Sequence, residues 1–434
     1  MNKRLLITIG VGFFLLAGTL GAIQFAKGYR LNLKNGKVAG TGLLVANSFP
    51  KGASVFINDK LTTATDDTLN LPPGDYHIKI VKDGFIPWEK NLKLKKELVA
   101  QTNAHLFPAV PDLKGLTHAG ALNLTPSPDG QKIAFSVASA SARLKNGLWI
   151  LDLSGSPLSF SQEPRQIVQT SSIFDFTNTQ FTWSPNSKQI LAKDKTGTVL
   201  MDTDRSNDPK NLTDVTAKLP LILQDWEEQL ELKRKRQWEK LPEEMQKIAS
   251  ESAKNVYFSP DEEKMIYRMV KSAIIPEKLI PPLPASNTQP ENRELEPEKI
   301  YVYDLKEDRN FLIAKNAKTE DTDAKTLKDT SEVMLDGSSK ENALEVRLKA
   351  IRDQYSPLGV EQLQWFPTSR HLILTKADKI TILEYDNTNL AAVYAGPFEE
   401  SFVYPWPDGS KLLILTTLNP SSPLPPNLYA IDLK

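Results

Sequence analysis

Side chains able to do chemistry are few in this chain, and their spacing assigns them no reaction. The four histidines, His77, His105, His118 and His371, share no spacing that metal ligation uses. There is no cysteine. That removes disulfides, thiolate zinc sites and cysteine nucleophiles, and it suits a chain outside the cytoplasm that avoids stray oxidation. No Gly-x-Ser-x-Gly, phosphate loop or dinucleotide fingerprint occurs. Asp321 and Asp323 lack the remaining positions of a calcium loop. Five acids each end a short apolar run: Asp152, Asp202, Asp304, Glu384 and Asp432. Gathered on one channel they would hold a cation; as strand caps they would bond to turn amides, the reading preferred here. Lys233-Arg234-Lys235-Arg236 is the one dense basic run, and it follows Glu227, Glu228 and Glu231. Acid before base suits a helix dipole, so the run reads as a solvated helix end. Contact with anionic lipid or wall polymer is its other use. No catalytic, cofactor-binding or metal-binding residue is assigned, no cofactor is expected, and the chain is expected not to be an enzyme.

The totals narrow the class further. Lys+Arg and Asp+Glu both number 53, so the net charge is zero. A nucleic-acid partner needs a basic excess and is not expected. Apolar residues make up 40% and charged residues 24%, which suits a folded body. At 434 residues more than one domain is expected, because one core rarely serves more than ~250–300 residues.

The element that must position any site is a repeat. Leu124-Thr-Pro-Ser-Pro-Asp-Gly-Gln-Lys-Ile-Ala-Phe135 returns in variant form at 181–192, 256–267, 363–374 and 402–415. Each copy reads as two short apolar strands joined by a tight turn. In Ser-Pro-Asp-Gly, proline presets φ for the second position of a type I turn, and aspartate and glycine suit the third and fourth. A third strand follows each copy and ends in one of the five acids. Weaker fourth strands follow four copies, at 166–168, 211–213, 311–313 and 391–394. Residues 112–116 would supply the outer strand that the fifth copy lacks. Four antiparallel strands per repeat is the blade of a β-propeller. The repeats resemble those of the TolB-type or WD40-like propellers, which implies about five blades over 108–434. A sixth is the alternative if part of 316–359 is a degenerate blade. That fold hosts enzymes, receptors and scaffolds alike.

Four insertions interrupt the repeats, at 217–253, 271–298, 316–359 and 419–427. The first reads as two helices, with Ile222, Trp226 and Leu230 stepping by four and Pro242 opening the second. The second and fourth are proline-rich loops. The third ends at helical spacing through Leu344, Leu348, Ile351 and Tyr355. By strand parity all four are expected on one face, leaving the Ser-Pro-Asp hairpins on the other. The crowded face would then bind partners.

Residues 38–107 alternate in short runs, with Tyr76, Ile78 and Ile80 on one strand face and Trp88, Leu92 and Leu94 on another. Pro50-Lys-Gly-Ala53, Leu71-Pro-Pro-Gly-Asp-Tyr76 and Lys82-Asp-Gly-Phe85 together resemble a PEGA domain, with Lys51 where the family motif has glutamate. The resemblance implies a small β-sandwich used as a binding or spacer module, with no catalytic residue. Ahead of it, Leu5 to Ala26 is 22 residues without a charge. At ~1.5 Å per residue that helix spans a ~30 Å hydrocarbon core. A signal peptide has a shorter apolar region of ~7–15 residues, and Thr19-Leu20-Gly21 is a poor cleavage site. Residues 1–27 are therefore expected to be a retained single-pass transmembrane helix. Lys3 and Arg4 precede it and Lys27, Arg30, Lys34 and Lys37 follow, so the charge rule leaves orientation open. A four-residue tail is too short to be the working part, which places the bulk of the chain outside the cell membrane.

The expected protein is mainly β: an N-terminal transmembrane helix, a PEGA-like β-sandwich, then the propeller. Its expected role is a membrane-tethered, extracytoplasmic binding or scaffolding protein of the cell envelope. The partner would be an envelope protein, a glycan or a wall polymer. The rival is a propeller-type enzyme acting on an envelope glycan or peptide, marked by two carboxylates ~5–9 Å apart in a deep polar pocket.

Overall fold

The tight turn predicted at each repeat is formed in all five copies. In the computed structural model the fourth turn residue donates its amide to the first carbonyl at Gly130→Ser127, Ser187→Ser184, Glu262→Ser259, Ser369→Phe366 and Gly409→Trp406, at 2.8–3.0 Å. That fourth residue has positive φ each time, from 57° at Glu262 and Ser369 to 71° at Gly130. The Asp129 carboxylate accepts from the Ser127 hydroxyl at 2.6 Å and the Gln131 amide at 3.0 Å, which locks the turn. The described residues are 3–26, 29–32, 37–155, 163–172, 174–177, 179–281, 283, 287–314, 337–355, 363–418 and 425–434. Asp321, Asp323 and most of the 419–427 loop lie outside them.

The chain divides into two units. The first holds Met1–Val110 together with Ile280–Glu291, so part of the 271–298 insertion belongs here and not with the repeats. Helix α1 is Lys3–Ala26. Its side chains are described from Ile7 to Ile23 and are exposed throughout. Among the described residues no helix is long and apolar enough to cross a membrane. The remainder is β. One sheet has the order Lys60–Ala64, Ser54–Ile57, Gly74–Val81, Trp88–Leu94, all antiparallel. A second has the order Val99–Gln101, Gly42–Ala46, Asp67–Leu71. Their inward faces share a core of Leu44, Val55, Ile78, Ile80, Trp88 and Leu92. Trp88, Leu92 and Leu94 share a buried face, as their spacing requires.

Among the described residues the second unit contains five four-stranded antiparallel sheets, one per repeat. Sheet 1 is Leu122–Pro126, Lys132–Val137, Gly147–Asp152 and Arg165–Gln169. Sheet 2 is Gln180–Trp183, Gln189–Lys193, Thr198–Asp202 and Thr213–Asp214. Sheet 3 is Ala253–Phe258, Lys264–Met269, Ile300–Asp304 and Arg309–Ala314. Sheet 4 is Leu363–Trp365, His371–Lys376, Lys379–Glu384 and Ala391–Ala395. Sheet 5 is Val403–Pro405, Lys411–Thr416 and Asn427–Asp432, completed by Leu113–Gly115 from the start of the unit.

Neighbouring sheets meet through alternate residues of their strands. Ala134, Leu148 and Ile150 of sheet 1 pack on Phe181, Ile190 and Val199 of sheet 2. Ile266, Ile300 and Val302 of sheet 3 pack on Leu363, Leu372 and Leu383 of sheet 4. Gln364 of sheet 4 donates to the Val403 carbonyl of sheet 5 at 2.8 Å. Trp406 and Leu413 of sheet 5 share a core with Phe135 and Leu151 of sheet 1.

Sheets 2 and 3 are joined differently, through helices. Helix α2 is Leu219–Trp238, α3 is Glu243–Glu251 and α4 is Gly337–Tyr355. The second face of sheet 2, at Leu191 and Leu200, packs on Leu223 and Trp226 of α2 and Leu348 and Ile351 of α4. The second face of sheet 3, at Met265, Tyr267 and Tyr301, packs on Met245, Ile248 and Ala249 of α3. Contacts therefore run from sheet 1 to 2, through the helices to 3, then to 4, to 5 and back to 1.

For the 217–253 insertion, this layer corrects the expectation that the insertions keep to one face. Helix α2 starts beside the link between the second and third strands of sheet 2, where the Thr198 amide donates to Thr216 Oγ1 at 2.9 Å. It ends at the Ser-Pro-Asp turn of sheet 3, where Gln237 donates to Glu262 at 2.9 Å and Lys240 pairs with the same carboxylate. Those two places lie at opposite ends of the strands. A 20-residue helix is ~30 Å long and crosses the whole layer. Strand parity locates where an insertion leaves the sheet, not how far its helix travels.

Candidate functional site

The turns and helices enclose a cleft of about 920 Å³. One part of its wall comes from the Ser-Pro-Asp turns of sheets 1 and 3 and the matching prolines Pro367 and Pro407. Another part comes from the last turns of α2, at Lys233, Arg234 and Gln237, and from Asp353 and Gln354 of α4. Tyr257, Trp365 and Tyr404 add aromatic surface.

Two kinds of contact fix this wall. Trp183 donates its indole N–H to the Thr125 carbonyl of the preceding sheet at 2.9 Å, and Trp365 donates to the Tyr257 carbonyl at 3.3 Å. Ser187 and Ser369 accept the amides of Asp129 and Asp261 in the preceding turns, at 3.1 and 3.0 Å. The equivalent positions of sheet 3 are Phe258 and Glu262, and there the helices take over. Arg352 of α4 reaches Thr182 of sheet 2 at 3.2 Å, and Glu262 is held by α2.

Two of the cleft's acids, Asp129 and Glu262, are tied into this scaffold. Asp129 serves its own turn. The Lys240 ammonium bonded to Glu262 holds that carboxyl below the usual glutamate range. Burial, reinforced by the Asp353 charge, pushes the Tyr257 phenol up, and burial does the same at Tyr404 beside Asp129. These phenols stay protonated donors at neutral pH. Gln364 is 3% exposed, and its Oε1 has no hydrogen-bond partner among the described residues. The cleft thus offers aromatic faces, amides and the exposed cations Lys233 and Arg234, the latter paired with Glu231.

The strand-end acids behave as caps. Asp152, Asp202, Asp304 and Asp432 each accept a main-chain amide two residues on, at 2.8–3.1 Å. Glu384 instead receives the Asn389 side chain at 3.0 Å. The histidines stay apart: His105 lies between the rings of Phe49 and Phe107, and His371 bonds Thr368 at 2.8 Å. Among the described residues no group of three or more metal-ligating side chains comes together. Lys233 and Arg234 were singled out by sequence, but their place in a cleft was not. Trp365 and Tyr257 stood in the repeats as strand residues, and nothing in one sequence marks them as cleft walls.

Residues 41–109 match the PEGA domain family. No curated protein matches the chain. Among solved structures it is similar to a putative TolB from Agrobacterium tumefaciens, at 13% identity over 70% of this chain and 76% of that one, with a TM-score of 0.21. It is also similar to TolB from Acinetobacter baumannii, at 12% identity over 83% and 60%, TM-score 0.21. A third is oligogalacturonate lyase from Vibrio parahaemolyticus, at 8% identity over 82% and 86%, TM-score 0.25.

Proposed function

We propose that this chain is a membrane-tethered binding or scaffolding protein of the cell envelope, with its bulk outside the cytoplasm. Its second unit is a five-bladed propeller whose ring holds a helical layer between the second and third blades. The observation that carries the binding role is the make-up of the cleft wall. Exposed residues of the inserted helices line it together with aromatic side chains held on sheet strands, while Asp129 and Glu262 are committed to structural bonds. Such a surface suits recognition of an envelope protein, a glycan or a wall polymer, since variable segments on a fixed scaffold are where binding concentrates. Those two carboxylates suit acid–base chemistry poorly, which needs a carboxylate at liberty to exchange protons.

The tether reading rests on Leu5–Ala26. Phe13 and Phe14 are 73% and 77% exposed, and each large apolar side chain left in water forgoes roughly 1.5–3 kcal/mol of burial. A lipid bilayer would cover that surface. Carbonate extraction of cell membranes tests it: the chain stays in the pellet if tethered, and release into the supernatant sinks the tether.

Binding is tested with the purified chain in detergent, incubated with fractionated envelope components. A discrete component should be retained by the wild type and lost by Trp365→Ala and by Lys233→Glu/Arg234→Glu. Retention unchanged in all three would remove the cleft from the reading.

A further inference from the structure

In the first unit, the outer edge of the strand Trp88–Leu94 is covered by the chain itself. This strand ends its sheet, so one row of its main-chain groups has no strand partner. The row is identified by His77, which stands opposite Asn91. The His77 amide donates to Asn58 Oδ1 at 2.9 Å, and its carbonyl accepts the Asn58 amide at 2.8 Å. Both groups of His77 therefore point away from Asn91, and those of Asn91 and Lys93 point outward. Residues 287–289, which belong to the same unit, fill this position. Thr288 Oγ1 accepts the Lys93 amide at 3.2 Å, and Gln289 Nε2 donates to the Asn91 carbonyl at 2.6 Å. Gln289 is 9% exposed, so this is a seated side chain.

An added β-strand would satisfy the same two groups with its own main chain. Here the segment carries Pro281, Pro282, Pro284 and Pro290, which have no amide to give. Hydroxyl and carboxamide side chains supply the acceptor and donor instead.

We infer that this edge is a peptide-binding site, filled in cis by 287–289, and that in trans it takes an extended, proline-containing segment with a hydroxyl residue followed by a carboxamide residue. The site is separate from the cleft and stands whether or not the cleft binds anything.

The geometry allows the occupant to be removed. The Leu279 amide donates to Asp308 Oδ2 at 2.8 Å, and the Asn292 amide donates to the Asn310 carbonyl at 2.7 Å. Both ends of the excursion are thus pinned two residues apart on the same stretch, and a short glycine linker can replace 280–291. The full-length variant with that replacement is titrated with a labelled peptide of sequence 280–291, followed by anisotropy. The variant should bind saturably and the wild type should not, its edge being occupied. A peptide carrying Gln289→Ala should bind about tenfold more weakly. Equal binding by variant and wild type, binding by neither, or equal binding of a scrambled peptide overturns the site. If the deletion fails to fold, the full chain with Thr288→Val and Gln289→Ala is used, and hydrogen exchange is read at Lys93. Faster exchange there, with Ile78 and Ile80 unchanged, supports the docked edge; an unchanged Lys93 rate overturns it.

Discussion

At the scale of single residues, the repeat works through what its side chains give the neighbouring sheet. Trp183, buried, and Trp365, half-buried at the cleft, each hand one N–H to a carbonyl of the preceding sheet. Replacing either with phenylalanine keeps much of the ring and removes the donor, and with it the bond between sheets. Each change should cost about 1 kcal/mol in urea unfolding, and the two should add because they serve different sheet pairs. Phe258→Trp, at the copy facing helices instead of a sheet, gains no such carbonyl and should not raise stability. The repeat was legible as a turn signal because proline, aspartate and φ-tolerant residues leave a local mark. The role of the tryptophans was not legible, since a hydrogen bond to residue 125 or 257 is a property of the closed packing and not of spacing.

Among the elements, α4 is the one whose hold can be loosened. Leu348 and Ile351 bury it against α2 and sheet 2, and Arg347 bonds Glu227 at 2.7 and 2.8 Å. Glu345 takes Lys193 at 3.1 Å and Arg352 at 2.9 Å. Burial pulls the Glu345 carboxyl upward, but Arg352 and Lys193 outweigh that and hold it below its ordinary value. A depressed folded pKa gives stability that is present above the unfolded value of ~4.3 and is lost as pH falls through the lower folded one. Exchange of α4 amides, corrected for intrinsic rates and compared with α2, should therefore accelerate below about pH 4. Glu345→Gln should remove that acceleration. Leu348→Ala should loosen α4 at every pH, at roughly 2–4 kcal/mol, while sheets 4 and 5 keep their protection. Helical spacing through Leu344, Leu348 and Ile351 announced this helix. Its seat on sheet 2 was hidden, because α4 follows sheet 3 in the chain and packs beside an earlier sheet.

At the scale of the molecule, the second unit depends on one seam, where Leu113–Gly115 completes sheet 5. The Leu116 amide donates to the Leu428 carbonyl at 2.8 Å and the Asp432 amide to the Asp112 carbonyl at 2.9 Å. Alternation then makes Lys114, opposite Ala430, a hydrogen-bonded position. Lys114→Pro removes that amide and should lower the melting temperature by several degrees, whereas Lys114→Thr should not. The need for an outer strand was legible from 112–116 because the last repeat was one strand short. The helical layer and the excursion onto the Trp88–Leu94 edge were not, as each is set by surfaces far apart in sequence. The most direct test of the account places a photo-crosslinking residue at Gln354 on the cleft wall, with the exposed Leu144 as control, in cells that make the protein. The account predicts one discrete macromolecular adduct at Gln354 and none at Leu144. No adduct at Gln354, or the same adduct from both positions, would contradict it.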